Sequence, residues 1–363
     1  MTAGRPILGG IDWADVVPPV RAAAAVTHVF RIRILLVATL SIAILAAGDH
    51  LLCSLHDAAA VAEIGAVAAT SDWIGVTAAL HTRVTTATQM LVAPFIDLSS
   101  QTGTAWWVAL LRSAWRLLWL PMAVAWLARM SVLAIARGEG PAPISAARFM
   151  LSRCGGVVSG VSLLVGGCVM LGLPLLAARG AMQVAWLAWP LAVVWPLVLL
   201  AAAVWTIYSF AAAVGWPLVS VTLATESTDA FDAVSRTFSY LFQRPWRLAA
   251  CVGCGAIATA LGAVVVEFAL AQTLAVSATL GSSLRSPASV VAFWQSAATL
   301  VGTGYLLAAS TAATCGTYLV LRRAIDGVEP MDVWVESAEY GLPPITEHAA
   351  TRVAESEPFA KAG

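Results

Sequence analysis

Charge is sparse in this chain. Only 11% of its 363 residues are Asp, Glu, Lys or Arg, and the formal charges cancel to zero. A sparse, balanced set excludes both the basic field that attracts nucleic acid and the acidic tracts of solvating segments. No nucleic-acid partner is expected. Lysine is all but missing, Lys361 being the single one. The familiar catalytic signatures are missing too. No G-x-x-x-x-G-K-[ST] loop is present to hold a nucleotide's phosphates, and no H-E-x-x-H pair to hold zinc. The five histidines, His28, His50, His56, His81 and His348, are scattered. "GGVVSG", Gly155 to Gly160, is not a G-x-S-x-G elbow, and no later span carries a histidine to act as its base. The six cysteines lie mostly inside apolar runs and imply no disulfide framework. Cys251 and Cys254 form a C-x-x-C, but without a second Cys or His pair their glycine-rich setting indicates close packing rather than redox or zinc chemistry. No catalytic, cofactor or metal site is expected.

What the chain has in abundance is apolar surface: 60% of its residues are hydrophobic and the mean hydropathy is +0.84. That is the composition of an integral membrane protein. The expected fold is all-α, a polytopic transmembrane helix bundle of about six spans with interfacial amphipathic helices on the cytoplasmic side. A crossing takes about 20 apolar residues. The expected spans are residues 34–53, 108–130, 157–176, 191–223, 248–272 and 291–321. The first apolar run begins only after Arg31 and Arg33, too late for a cleavable signal peptide, so it reads as a retained anchor. Residues 182–224 could cross once or twice, since a straight helix of that length would run about 63 Å and Pro190, Pro196 and Pro217 could split it.

Arginine placement decides in favour of one crossing. Cytoplasmic loops accumulate Lys and Arg near span ends. Six spans put Arg137, Arg148, Arg153, Arg236, Arg244, Arg247, Arg322 and Arg323 inside, against Arg83, Arg112, Arg116, Arg179 and Arg285 outside. Met182 to about Pro190 then becomes a kinked or interfacial lead-in to span four. Both termini fall in the cytoplasm, as segment 1–33 and as a largely disordered tail 324–363, around a transmembrane domain 34–323 with an external loop 56–103. Seven tryptophans near span ends, Trp106, Trp107, Trp186, Trp189, Trp216, Trp246 and Trp294, read as interfacial anchors.

Between spans four and five lies "ESTDAFDAVSRTFSYLFQRPWR", Glu226 to Arg247. At helical spacing Phe231, Val234, Phe238, Leu241 and Phe242 make an apolar stripe, and Asp229, Asp232, Arg236, Ser239 and Gln243 the opposite polar face. Thr228 or Asp229 can cap the helix, Asp232 and Arg236 make an i,i+4 pair, and Pro245 ends it at Arg244. Such a helix lies in the headgroup plane. Glu226, Asp229 and Asp232 are also the right groups to hold a cation or exchange protons, although capping accounts for the two aspartates.

Intramembrane charge is the other candidate for function. Asp49, Arg112, Arg116 and Glu267 all fall near the outer ends of their spans, where they could form one polar cluster or snorkel separately to water. Arg129, roughly 25 Å beyond Arg112 along the same helix, is expected to snorkel to the inner face. Gly255, Thr259 and Ala263, with Ser310, Thr314 and Thr317 on span six, give the small residues by which spans five and six pack closely.

Three pieces, "WPLVSVTLATESTDAFDAVSRTFSYLFQRPWR", "ARMSVLAIARGEGPAPISAARF" and "YLVLRRAIDGVEPMDVW", resemble a family of uncharacterised bacterial polytopic membrane proteins. The shared signature falls here on Glu226, Asp229, Asp232, Ser235, Arg236, Tyr240, Arg244 and Pro245. More distantly, the plan is similar to YciC-like proteins and to the membrane domain attached to some glycerophosphodiesterases, without their soluble catalytic barrel. The resemblance implies a bacterial inner-membrane location and no assigned activity. The expected function is a non-enzymatic membrane scaffold or partner subunit, in contact with the lipid bilayer and other membrane proteins. A transporter with a polar path in the outer leaflet is the alternative, and a lipid-acting enzyme the third.

Overall fold

The computed structural model describes residues 18–54, 106–138, 142–226, 228–283, 288–328 and 333. The expected external loop 56–103, the first part of segment 1–33 and most of tail 324–363 lie outside the described residues. The described chain runs α1 (Pro19–Ala25), a 3-10 turn (Val26–Phe30), α2 (Ile32–Ser54), α3 (Trp106–Arg137), α4 (Pro143–Ser152), α5 (Cys154–Met182), α6 (Ala185–Val193), α7 (Trp195–Thr225), α8 (Ala230–Gln243), α9 (Pro245–Ser283) and α10 (Ala288–Ile325). Six of these, α2, α3, α5, α7, α9 and α10, are long and apolar enough to cross a membrane. The protein is a multi-pass, all-helical membrane protein.

The ambiguous stretch 182–224 becomes two elements. α6 is short and separate, and α7 is one continuous helix of 31 residues, about 46 Å long. Pro196 sits in its first turn, where a missing N–H costs nothing. Pro217 lies within it without ending it.

Burial divides the spans into a centre and a periphery. The most apolar stretch of α10 is 83% buried and that of α3 72%, against 11% for α5 and α7 and 17% for α9. The centre is held partly by tryptophans. Trp115 and Trp119 of α3 stack at 5.9 Å, and their indole N–H groups donate to the Leu45 and Ser41 carbonyls of α2. Trp126 donates to the Pro143 carbonyl and so ties α4 back onto α3. Trp216, expected in the interfacial belt, is instead buried at 2% exposure. Helix periodicity places it on the α7 face that enters the bundle, and proximity to a span end did not reveal that. Trp186, Trp189, Trp246 and Trp294 are exposed.

Close backbone approach sets the other contacts. At Gly304 of α10 a Cβ would lie 2.9 Å from both the backbone N and the Cα of Thr39 on α2. α1 packs against the ends of α9 and α10, with Ala22 and Ala25 buried and the Ala22 Cα 2.8 Å from the Cβ position of Gly316. The N-terminal segment is therefore partly built into the bundle. So is the tail at Val333, which is buried and accepts a bond from Arg137 at 3.4 Å. α9 meets α10 through Gly255 against Ala313, as the small-residue pattern predicts on its own side. On α10, however, the hydroxyls of Ser310, Thr314 and Thr317 turn back onto carbonyls of their own helix.

Because the obstacle at Gly304 is backbone, Gly304→Ala is expected to cost about 1–3 kcal/mol as an overpacking substitution. Gly166→Ala on α5, with open space around it, is expected to leave the thermal midpoint unchanged or raise it, since alanine is the better helix former. Tryptophan fluorescence during heating in detergent reads both.

Candidate functional site

The polar residues gather at two opposite ends of the bundle. The first group centres on Glu226, which leaves α7 in extended geometry. Its carboxylate is buried and fully engaged. Arg322 Nε lies 2.9 Å from Oε1, the Tyr318 hydroxyl donates to the same oxygen at 2.5 Å, and Arg236 Nη1 meets Oε2 at 2.6 Å. One side chain thereby joins α7 to α8 and α10. Beside it, Tyr240 of α8 packs its ring 6.1 Å from that of Tyr318 and donates to Asp326, just past α10. Burial first, then that hydrogen bond, pushes the Tyr240 pKa far up, so the phenol stays a donor. Burial works against the Arg236 guanidinium, but the Asp232 hydrogen bond and the charges of Glu226 and Asp232 outweigh it and raise its pKa.

Arg129 completes this end. It does not snorkel: it is 0% exposed. Its Nη1 donates to the Ala224 carbonyl at 3.0 Å, and its guanidinium lies 4.2 Å from the centre of the Phe149 ring on α4. Ala224 offers one of the last carbonyls of α7, which have no partner within their own helix. A cation there also answers the negative end of the helix dipole. Arg129 and Glu226 thus treat the same helix end from two directions.

α8 keeps its expected limits. Asp229 is the N-cap, accepting from the Asp232 N–H at 2.8 Å, and Arg244 is the C-cap before Pro245. Asp232 and Arg236 pair at 2.9 Å. The face it buries overlaps the expected stripe only in part: Leu241 is buried and Val234 and Phe238 are half-buried against the core. Ala233, Thr237, Tyr240 and Leu241 point into the bundle, whereas Phe231 and Phe242 are exposed. Phe238 stacks on Tyr208 of α7 at 5.6 Å. Ser235 and Arg244 are exposed. Ala233, Thr237 and Tyr240 are small or carry a hydroxyl, so a hydrophobicity stripe finds only Leu241 of the buried set. Glu226 itself belongs to neither face of α8.

At the other end Asp49 of α2 pairs with Arg116 of α3 at 3.0 Å, with Arg112 3.8 Å from its second oxygen. Three of the four expected cluster members therefore meet. Glu267 is buried on α9, whose main neighbours are α10 and α1 rather than the helices carrying Asp49 and Arg116. Tyr318, Arg322, Asp326 and Arg129 were missed as site residues. The available signal was a lone Arg within the apolar run of α3, and an "RRAID" segment closing α10 as polar as the one that follows α7.

Comparison with protein-family models, with curated proteins and with solved structures finds no match.

Removing one member of a buried charge pair strands the other, at a cost of about 3–5 kcal/mol. Glu226→Ala, which removes the carboxylate shared by Arg322, Arg236 and Tyr318, is expected to lower stability by that order. Asp232→Ala touches a half-exposed pair and is expected to cost about 0.3–0.5 kcal/mol. Thermal midpoints of the two purified variants check the contrast, and equal losses would contradict the assignment of Glu226 as the centre.

Proposed function

We propose that this chain is a non-enzymatic membrane scaffold or partner subunit of the bacterial inner membrane, with six spans and both termini in the cytoplasm. Unequal burial is the observation that carries the reading. α3 and α10 are enclosed, while the most apolar stretches of α5 and α7 are only 11% buried, so one side of the α5–α6–α7 hairpin is left open. Its internal contacts include the Trp205 indole bonding the Cys168 carbonyl at 3.0 Å. It presents Met170, Leu176, Trp189 and Phe210 outward, each more than half exposed.

Lipid covers apolar surface of any shape. A protein helix, by contrast, gains from small residues that let backbones approach. Gly155, Gly156 and Gly166 of α5 meet nothing within 4 Å among the described residues. They leave that backbone open to a helix from another membrane protein. The buried charges at the Glu226 end are turned on one another or on a helix terminus, which favours a fixed structural junction over a reaction centre.

The excess of arginine at the Glu226 end supports its cytoplasmic orientation. α8 supports it too. It offers Phe231 and Phe242 on one side, and the adjoining start of α9 exposes Trp246 and Arg247, a combination suited to the headgroup level as an amphipathic interfacial helix.

A photoreactive amino acid at Gly166 is expected to give, in intact cells, an adduct with one membrane protein of defined mass. The same probe at buried Ala312 is expected to give none. Monomer alone from both sites would remove the partner reading. A reporter fused after Ile325 is expected to read cytoplasmic, and an external signal would overturn the orientation.

A further inference from the structure

Of the buried side-chain hydroxyls left without a hydrogen-bond partner among the described residues, two belong to the seam between α9 and α10. Tyr305 of α10 is 1% exposed, and its OH is unpaired. Thr259 of α9 has a buried Oγ1, also unpaired. Gly255, Thr259 and Gly262 lie on one stripe of α9 at helical spacing. Gly255 meets Ala313 at 2.8 Å, and the Cβ position of Gly262 falls on the Tyr305 hydroxyl. Thr259 therefore sits between two contacts with α10, on the side facing Tyr305.

The detail at Gly262 is informative. Any Cβ there would collide first with the phenol oxygen, so the glycine makes room for the hydroxyl in particular. A phenylalanine at 305 would fill the ring's place with no polar atom to satisfy. Thr259 is unusual as well. Thr222, Thr311 and Thr317 each bond the carbonyl one turn back, which is how a hydroxyl is satisfied inside an apolar helix bundle. Thr259 makes no such bond.

Unpaired buried hydroxyls carry the full cost of leaving water. Internal water removes that cost where two to four polar groups converge, and a hydroxyl can serve it as donor or acceptor. We infer that the α9–α10 seam is an internally hydrated site within the span, in which water bonds the Tyr305 and Thr259 hydroxyls. Buried Ala263 and Glu267 continue the same side of α9 beyond Thr259. The inference is independent of the partner reading, since a scaffold and a transporter could each contain the site.

Thiol accessibility tests it, because the reactive species is the thiolate and it forms where water is present. In a variant with the native cysteines replaced and an unchanged thermal midpoint, Thr259→Cys in membranes is expected to react with aminoethyl methanethiosulfonate ~10-fold or more faster than Ile257→Cys or Leu261→Cys, which face outward. Equal rates at the three positions would overturn the inference. Tyr305→Phe gives a second readout on the otherwise native chain. A hydroxyl bonded to water leaves the thermal midpoint unchanged or lower on removal. A rise in midpoint would show that the hydroxyl was merely unsatisfied, and the site would be lost.

Discussion

Glu226 lies where α7 has just ended and α8 has not begun, and its carboxylate is buried there. A buried carboxylate is tolerable only when paired and hydrogen-bonded, and the pairing comes from three groups on two helices: Arg322 and Tyr318 on the central helix α10, and Arg236 almost two turns into α8. The constraint works outward from that point. α8 must turn back toward the bundle for Arg236 to reach, which brings Tyr240 against Tyr318 and Asp326. The last turn of α7 must come close to α3, where Arg129 takes the Ala224 carbonyl. Spans two, four and six are locked at one end by charge.

Such a junction adds little net stability compared with apolar packing, yet it is costly to break. Its value is therefore positional. In lipid, apolar faces do not choose among one another strongly, since hydrocarbon serves them all. The Trp115 and Trp119 bonds to α2 carbonyls act the same way across α2 and α3, and the Asp49–Arg116 pair closes the far end of that contact. The hairpin of α5, α6 and α7 has fewer such ties beyond its root, which leaves its outward faces available to lipid or to another protein.

The parts of the site that were legible in the sequence are local. Asp229 as cap, Asp232 with Arg236, and Arg244 before Pro245 as the stop all follow from neighbours within four residues. The buried face of α8 was legible only in part, at Leu241, because Ala233, Thr237 and Tyr240 form no hydrophobic stripe and are buried only by what α7 and α10 bring to them. Arg129 fails in the same way: its distance to the end of α3 suggests an escape to water, and only the fold shows a helix terminus and an aromatic ring already waiting for it.

Composition and the length of the apolar runs alone determine that this is an α-helical, multi-pass membrane protein, because hydrocarbon thickness sets span length and a backbone in lipid must bond within its own segment. They also determine where α8 starts and stops, since caps and proline act over a single turn. Which charges meet was decided only in three dimensions. Glu226 and Arg322 lie 96 positions apart, and Arg129 and Ala224 lie 95 apart. Pairings at that separation depend on which helices are neighbours and how each is rotated, and no residue's local surroundings encode either.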